Sequence, residues 1–171
     1  MDYFTLWKNE RKNNFDMKRK KICLISSSGG HFEQLMMLRE LNQKYDIFVV
    51  TEKTKYNKQD KKIDYFITQV NRKEKLFLIK MIVNLIKSIY IYIKEQPDVI
   101  ISLGVLSTIP MMYLGHFFNK RLIYIESFAK ISSPTKTGEL VYKKKLADRF
   151  YVQWEPMLKV YPKAIYKGGI Y

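Results

Sequence analysis

KICLISSSGGHF, residues 21–32, decides how the rest of the chain is read. Residues 21–26 are mostly apolar and strand-length; Ser27, Ser28, Gly29 and Gly30 follow, then His31, and then a helix-patterned segment at 33–43. A strand that runs through a small, glycine-bearing turn into a helix start leaves backbone N–H groups bare around a pocket. The helix dipole adds partial positive charge there, so the turn favours a phosphate or another anion. His31 stands at the rim, where a proton-transfer group is useful. Taken alone, Gly29-Gly30-His31 also reads as a tight turn with a polar helix cap.

Outward from that turn, the chain alternates. Strand patterns recur at 47–51, 65–70, 99–103, 122–126 and 150–154, with helical patterns at 33–43, 74–95, 106–118 and 137–145. Short β-branched runs separated by helices predict an α/β, Rossmann-like, doubly wound parallel sheet. Ligands of such sheets bind outside the carboxyl ends of the strands, where the strand order reverses. Residues 1–20 read as an aromatic and basic arm, and 21–171 as a single domain.

The second turn of interest is SLGVLSTIP, residues 102–110. It too follows a strand and opens a helix, with Gly104 at the bend and Ser107 and Thr108 near the helix start. Two such turns after adjacent strands face each other across one crevice. Glu126 ends the fifth strand, where a carboxylate suits a sugar hydroxyl; it also reads as a solvated or helix-capping residue. SSSGGH is not GxGxxG, and GxxxxGK[ST] is absent, so neither dinucleotide fingerprint nor Walker motif is present.

The net charge of +15 favours an anionic partner: nucleic acid, an acidic leaflet or a phosphate-bearing ligand. Aromatics interleaved with arginines on a strand platform are missing, which disfavours nucleic acid. Cys23 is the single cysteine, so neither a disulfide framework nor a Cys/His zinc pattern is available. There is no Asp-x-Asp motif, and no metal is expected. The first residues carry charges and no apolar h-region, so no signal peptide is expected. A cytoplasmic setting follows by default, with any membrane contact peripheral.

Segment 74–95 carries Lys73, Lys80, Asn84, Lys87 and Lys94 on one narrow stripe, and nearly everything else in it is apolar. Two readings are open. The helix is buried on both flanks, or its outer face enters a lipid interface with Lys80 and Lys87 at the headgroups. Phe117 and Phe118 add to the second.

SSGGHFEQL, SLGVLSTIP, YIES and VQWEPMLKVYPKAIYKGG, spread over residues 20–171, together resemble bacterial polysaccharide-biosynthesis proteins. These are the enhancer partners of capsule and exopolysaccharide β-1,4-glycosyltransferases. They are similar in turn to the membrane-anchoring subunit of the eukaryotic two-subunit N-acetylglucosaminyltransferase of dolichol-linked oligosaccharide assembly. The resemblance implies the amino-terminal, acceptor-binding half of a GT-B glycosyltransferase. A separate catalytic subunit would bind the UDP-sugar donor, so this chain needs no cofactor of its own. The acceptor would be a polyprenyl (undecaprenyl) diphosphate-linked saccharide at the cytoplasmic face of the membrane. By resemblance to the single-chain enzyme that forms lipid II, Ser28, Gly29, Gly30, Gly104 and Ser107 would hold the acceptor diphosphate. His31 would be the base, and Glu126 matches the acidic residue after the fifth strand. The chain departs from that relative at Val105-Leu106, where a Gly-Tyr pair would stand. Two other readings are a membrane scaffold without chemistry and a self-sufficient nucleotide-binding enzyme.

Overall fold

The computed structural model describes residues 19–170, so most of the expected amino-terminal arm lies outside the described residues. Seven strands form one parallel sheet: β1 (Lys21–Ser26), β2 (Asp46–Glu52), β3 (Tyr65–Ile67), β4 (Val99–Leu103), β5 (Arg121–Ile125), β6 (Arg149–Val152) and β7 (Ile165–Tyr166). Their order is β3-β2-β1-β4-β5-β6-β7, so the direction of winding reverses between β1 and β4. The α-helices are α1 (Gly30–Met37), α2 (Phe77–Glu95), α3 (Ile109–Phe117) and α4 (Lys136–Lys143).

The two faces of the sheet are covered unequally. Cys23, Ile25, Val50, Ile100, Leu122 and Tyr124 meet α2 through Ile91 and Tyr92, α3 through Met111 and Met112, and α4 through Val141. The opposite face, with Ile22, Leu24, Val49, Ile101 and Leu103, meets Phe32 and Leu35 of α1. Alternation along β1 therefore sends Cys23 and Ile25 to one side and Ile22 and Leu24 to the other, as the two-residue strand period requires.

Where the boundaries differ from the sequence reading, local chemistry gives the reason. The expected strand at 65–70 stops at Ile67 because the buried carboxamide of Asn84 takes over the next peptide. It accepts from Thr68 N–H at 2.7 Å and donates to the Thr68 carbonyl at 2.8 Å. The helix expected at 106–118 divides into a 3-10 turn, Leu106–Thr108, and α3, with Pro110 in the first turn of the latter. The helix expected at 33–43 likewise starts earlier, at Gly30, and ends in a 3-10 segment, Leu38–Gln43. α2 ends at Gln96, left-handed at φ 46°, just before Pro97. β7 has two residues, too short for any periodicity to show.

Candidate functional site

β1 and β4 are neighbours at the reversal point, so the turns that follow them share one crevice. Gly29 holds φ +75°, which a side chain would strain, and it forms the N-cap of α1. A Cβ placed on Gly30 would meet nothing within 4 Å, so the turn borders open space. Ser28 is half-buried at the same turn.

His31 is the hub. Its Nδ1 lies 2.8 Å from Ser27 Oγ and its Nε2 lies 2.9 Å from Ser127 Oγ. The ring stands over Gly104, where a Cβ would come within 3.2 Å of Nε2. Gly104 has φ +67° and Val105 has φ +37°, so the second turn is bent sharply beneath the imidazole. Thr108 Oγ1 fastens that turn through Ser102 Oγ at 2.8 Å and the carbonyls of Gly104 and Val105. Burial lowers the His31 pKa from 6.5, so the ring is neutral at pH 7 and able to accept a proton. Three strand ends therefore converge on one imidazole.

Of the other expected site residues, Gly104 lies in the crevice, whereas Ser107 and Glu126 are buried in the interior. Gly104 N–H is already donated to the Ile125 carbonyl at 3.2 Å, which makes Gly104 the floor for His31 and not a donor to a ligand. Ser107 is buried beneath the turn beside Glu52, whose carboxyl is pushed up in pKa by burial and held back by Ser107 and by the N–H groups of Val70 and Ser28.

Glu126 is 1% exposed. Its carboxylate accepts from Ser127 N–H at 2.8 Å, Thr135 Oγ1 at 2.8 Å and Tyr161 Oη at 2.9 Å. A Cβ at Gly138 would fall 2.0 Å from Oε2, so α4 is seated directly on the carboxylate. The expectation of a sugar-binding Glu126 is therefore corrected: its oxygens are filled from within, and it fixes Ser127 and the N-cap Thr135.

Ser27, Ser127 and Gln34 were not singled out from the sequence. Ser127 was legible as the residue after Glu126. Its meeting with His31, 96 positions away, was not.

Among the described residues no three His, Cys, Asp or Glu side chains come together as a metal site. No described helix is long and apolar enough to cross a membrane. The outer arc of α2, opposite Asn84, Ser88, Ile91 and Tyr92, is apolar and bare: Leu78 is 71% exposed, Ile86 62% and Ile93 65%. Phe117, at 75%, extends it across α3. Lys80 and Lys87 lie along the edge of this arc, not on it. Lys80 is paired with Glu74, and Lys87 donates to Thr68 Oγ1 at 3.0 Å.

A family model described as "Oligosaccharide biosynthesis protein Alg14 like" matches residues 22–170. The chain belongs to this family. Among relatives named UDP-N-acetylglucosamine transferase subunit ALG14, the Yarrowia lipolytica protein is 26% identical over 174 residues, covering 86% of this chain and 80% of that protein. The human one is 29% identical over 83 residues, 45% of this chain and 38% of that protein. In Kluyveromyces lactis the match is 44% over 48 residues, 28% of this chain and only 20% of that protein. Among solved structures, UDP-N-acetylglucosamine 2-epimerase from Rickettsia bellii superposes with TM-score 0.67 at 13% identity, over 89% of this chain and 45% of that one. Acinetobacter baumannii MurG does so with TM-score 0.61 at 13% identity, over 78% and 41%. The chain thus spans under half the length of these structures. Its fold is the Rossmann-like parallel sheet that the strand pattern predicted, and the part-length match agrees with the single GT-B half that the resemblance implied.

Proposed function

We propose that this chain is the acceptor-binding subunit of a two-subunit glycosyltransferase that acts at the cytoplasmic face of a membrane. The observation that carries the reading is His31, neutral and clamped between two serines at the carboxyl ends of three strands, beside a glycine turn bordering open space. The naming of the relatives as transferase subunits supports it. A bacterial capsule or exopolysaccharide is the product the motifs suggest.

In this reading the α1 turn at Ser28, Gly29 and Gly30 receives the diphosphate of a polyprenyl-linked saccharide. The partner chain supplies the UDP-sugar. The acceptor hydroxyl attacks the anomeric carbon of the donor; the new C–O bond forms as the bond to UDP breaks, and UDP leaves. The hydroxyl proton passes to His31 Nε2, with Nδ1–H donating to Ser27 Oγ. Ser127 Oγ, 2.9 Å from Nε2, would give way there to the acceptor hydroxyl.

The bare arc of α2 and Phe117 would enter the lipid interface, with the net charge of +15 favouring an anionic leaflet. Phe118 stacks on Tyr92 at 4.8 Å and would anchor the α3 side of that surface. Lys80 and Lys87 would flank it.

The test is sugar transfer from a UDP-sugar to a polyprenyl-diphosphate saccharide by the chain co-purified with its companion. His31→Ala is expected to lower kcat by about 10²–10⁴-fold with the complex intact. Unchanged turnover would remove His31 from the chemistry and leave a scaffold.

A further inference from the structure

The cavity beside His31 has a second polar wall. Gln34 lies one helical turn beyond His31 on α1 and is 2% exposed. Its orientation is set from the backbone outward. Ile170 N–H donates to the Gln153 side chain at 3.1 Å, so the atom it meets is the amide oxygen. Gln153 Nε2 then donates to the Glu126 carbonyl at 2.9 Å and, more weakly, to Gln34 Oε1 at 3.4 Å. With its oxygen turned toward Gln153, Gln34 presents its NH2 to a cavity of about 270 Å³ that it lines with Gly30, His31, Ser127, Phe128 and Ala129. No described residue accepts from that NH2. The NH2 is not sealed in the interior, so an oxygen that enters the cavity can accept from it.

We infer that the Gln34 carboxamide donates to an oxygen of the acceptor's sugar, and so helps decide which lipid-linked saccharide is taken. This rests on the acceptor-binding reading above. The donor is neutral and lies a helical turn below the glycine turn, so it suits a hydroxyl or acetamido oxygen better than the diphosphate. The Phe128 ring, 4.8 Å from that of Trp154, gives the same cavity an apolar side against which the C–H face of a sugar packs. The sequence hints at this only through spacing, since a residue three positions after His31 falls on the same helical face.

The test uses the full chain in detergent with three probes: farnesyl diphosphate, and farnesyl diphosphate bearing glucose or N-acetylglucosamine. Wild type is expected to bind one sugar-bearing probe more tightly than farnesyl diphosphate. Gln34→Met is expected to reduce that preference by about 3- to 10-fold, the range of one neutral hydrogen bond, with farnesyl diphosphate affinity unchanged. Gln34→Glu keeps an oxygen for Gln153 and hence the packing, yet offers no donor; its ratio of affinities should fall as well. A preference retained in both variants would overturn the inference. So would equal weakening of all probes in Gln34→Met, which is the mark of a diphosphate contact or a folding role. A wild-type chain that binds none of the probes would instead sink the acceptor reading itself.

Discussion

The crevice at the carboxyl ends of β1, β4 and β5 and the outer arc of α2 depart from an ordinary domain in opposite ways. In the crevice, polar side chains are buried and nearly all of them are paired: His31 with two serines, Glu126 with four donors, and Thr108 with Ser102 and two carbonyls. On α2, large apolar side chains face outward, and no described residue covers them fully. The first region spends buried polar groups to hold one imidazole in place, so its residues matter for stability as well as for any chemistry. The second contributes little to the fold and makes sense only through what lies outside it. Changes in the two regions should therefore be felt in different measurements.

The largest contrast is expected at Glu126. Glu126→Gln replaces an acceptor by an NH2 that faces N–H and O–H donors, and should destabilise the chain by about 2–3 kcal/mol in denaturant unfolding. An unchanged midpoint together with lost acceptor binding would restore Glu126 as a ligand contact and erase the contrast between crevice and arc. A smaller effect is expected from pH. His31 binds its proton less readily in the folded chain than in the unfolded one. Its stabilising contribution is thus complete above the ordinary pKa of 6.5 and is lost as pH falls below that value toward the depressed folded one. Thermal melts from neutral to mildly acidic pH should fall less steeply for His31→Ala than for wild type; parallel curves would mean the imidazole is less desolvated than its clamp implies. The smallest change in stability is expected on α2. Ile82→Glu with Ile86→Glu alters only outward positions and should shift stability by less than about 0.5 kcal/mol per site. The same pair should abolish flotation with anionic vesicles, and retained flotation would place the lipid contact elsewhere.

Much of the fold was legible because it depends on local pattern. Strands β1 and β4 lie where their apolar runs do, and β2 and β5 shift by a residue at both ends. The strand at 65–70 was too long because its end is set by Asn84, a residue of α2 that no local window includes. In the site, the glycine turns and His31 were visible as types in sequence. The displacement of Ser107 and Glu126 from crevice to interior was not, since a polar residue at a strand end looks the same whether its partners are water or Tyr161.

The sequence by itself determined the alternation of strands and helices, the two glycine turns, and the apolar excess of the 74–95 segment, because backbone sterics and side-chain period act over a few residues. Tertiary structure alone decided which polar groups are spent internally and which face open space. Ser27, Gly104 and Ser127 reach His31 from different strand ends, and Gln153 turns Gln34 toward the cavity across 119 residues. Hydrogen bonds are directional and short, so which donor finds which acceptor is fixed only when the sheet has brought the strand ends together.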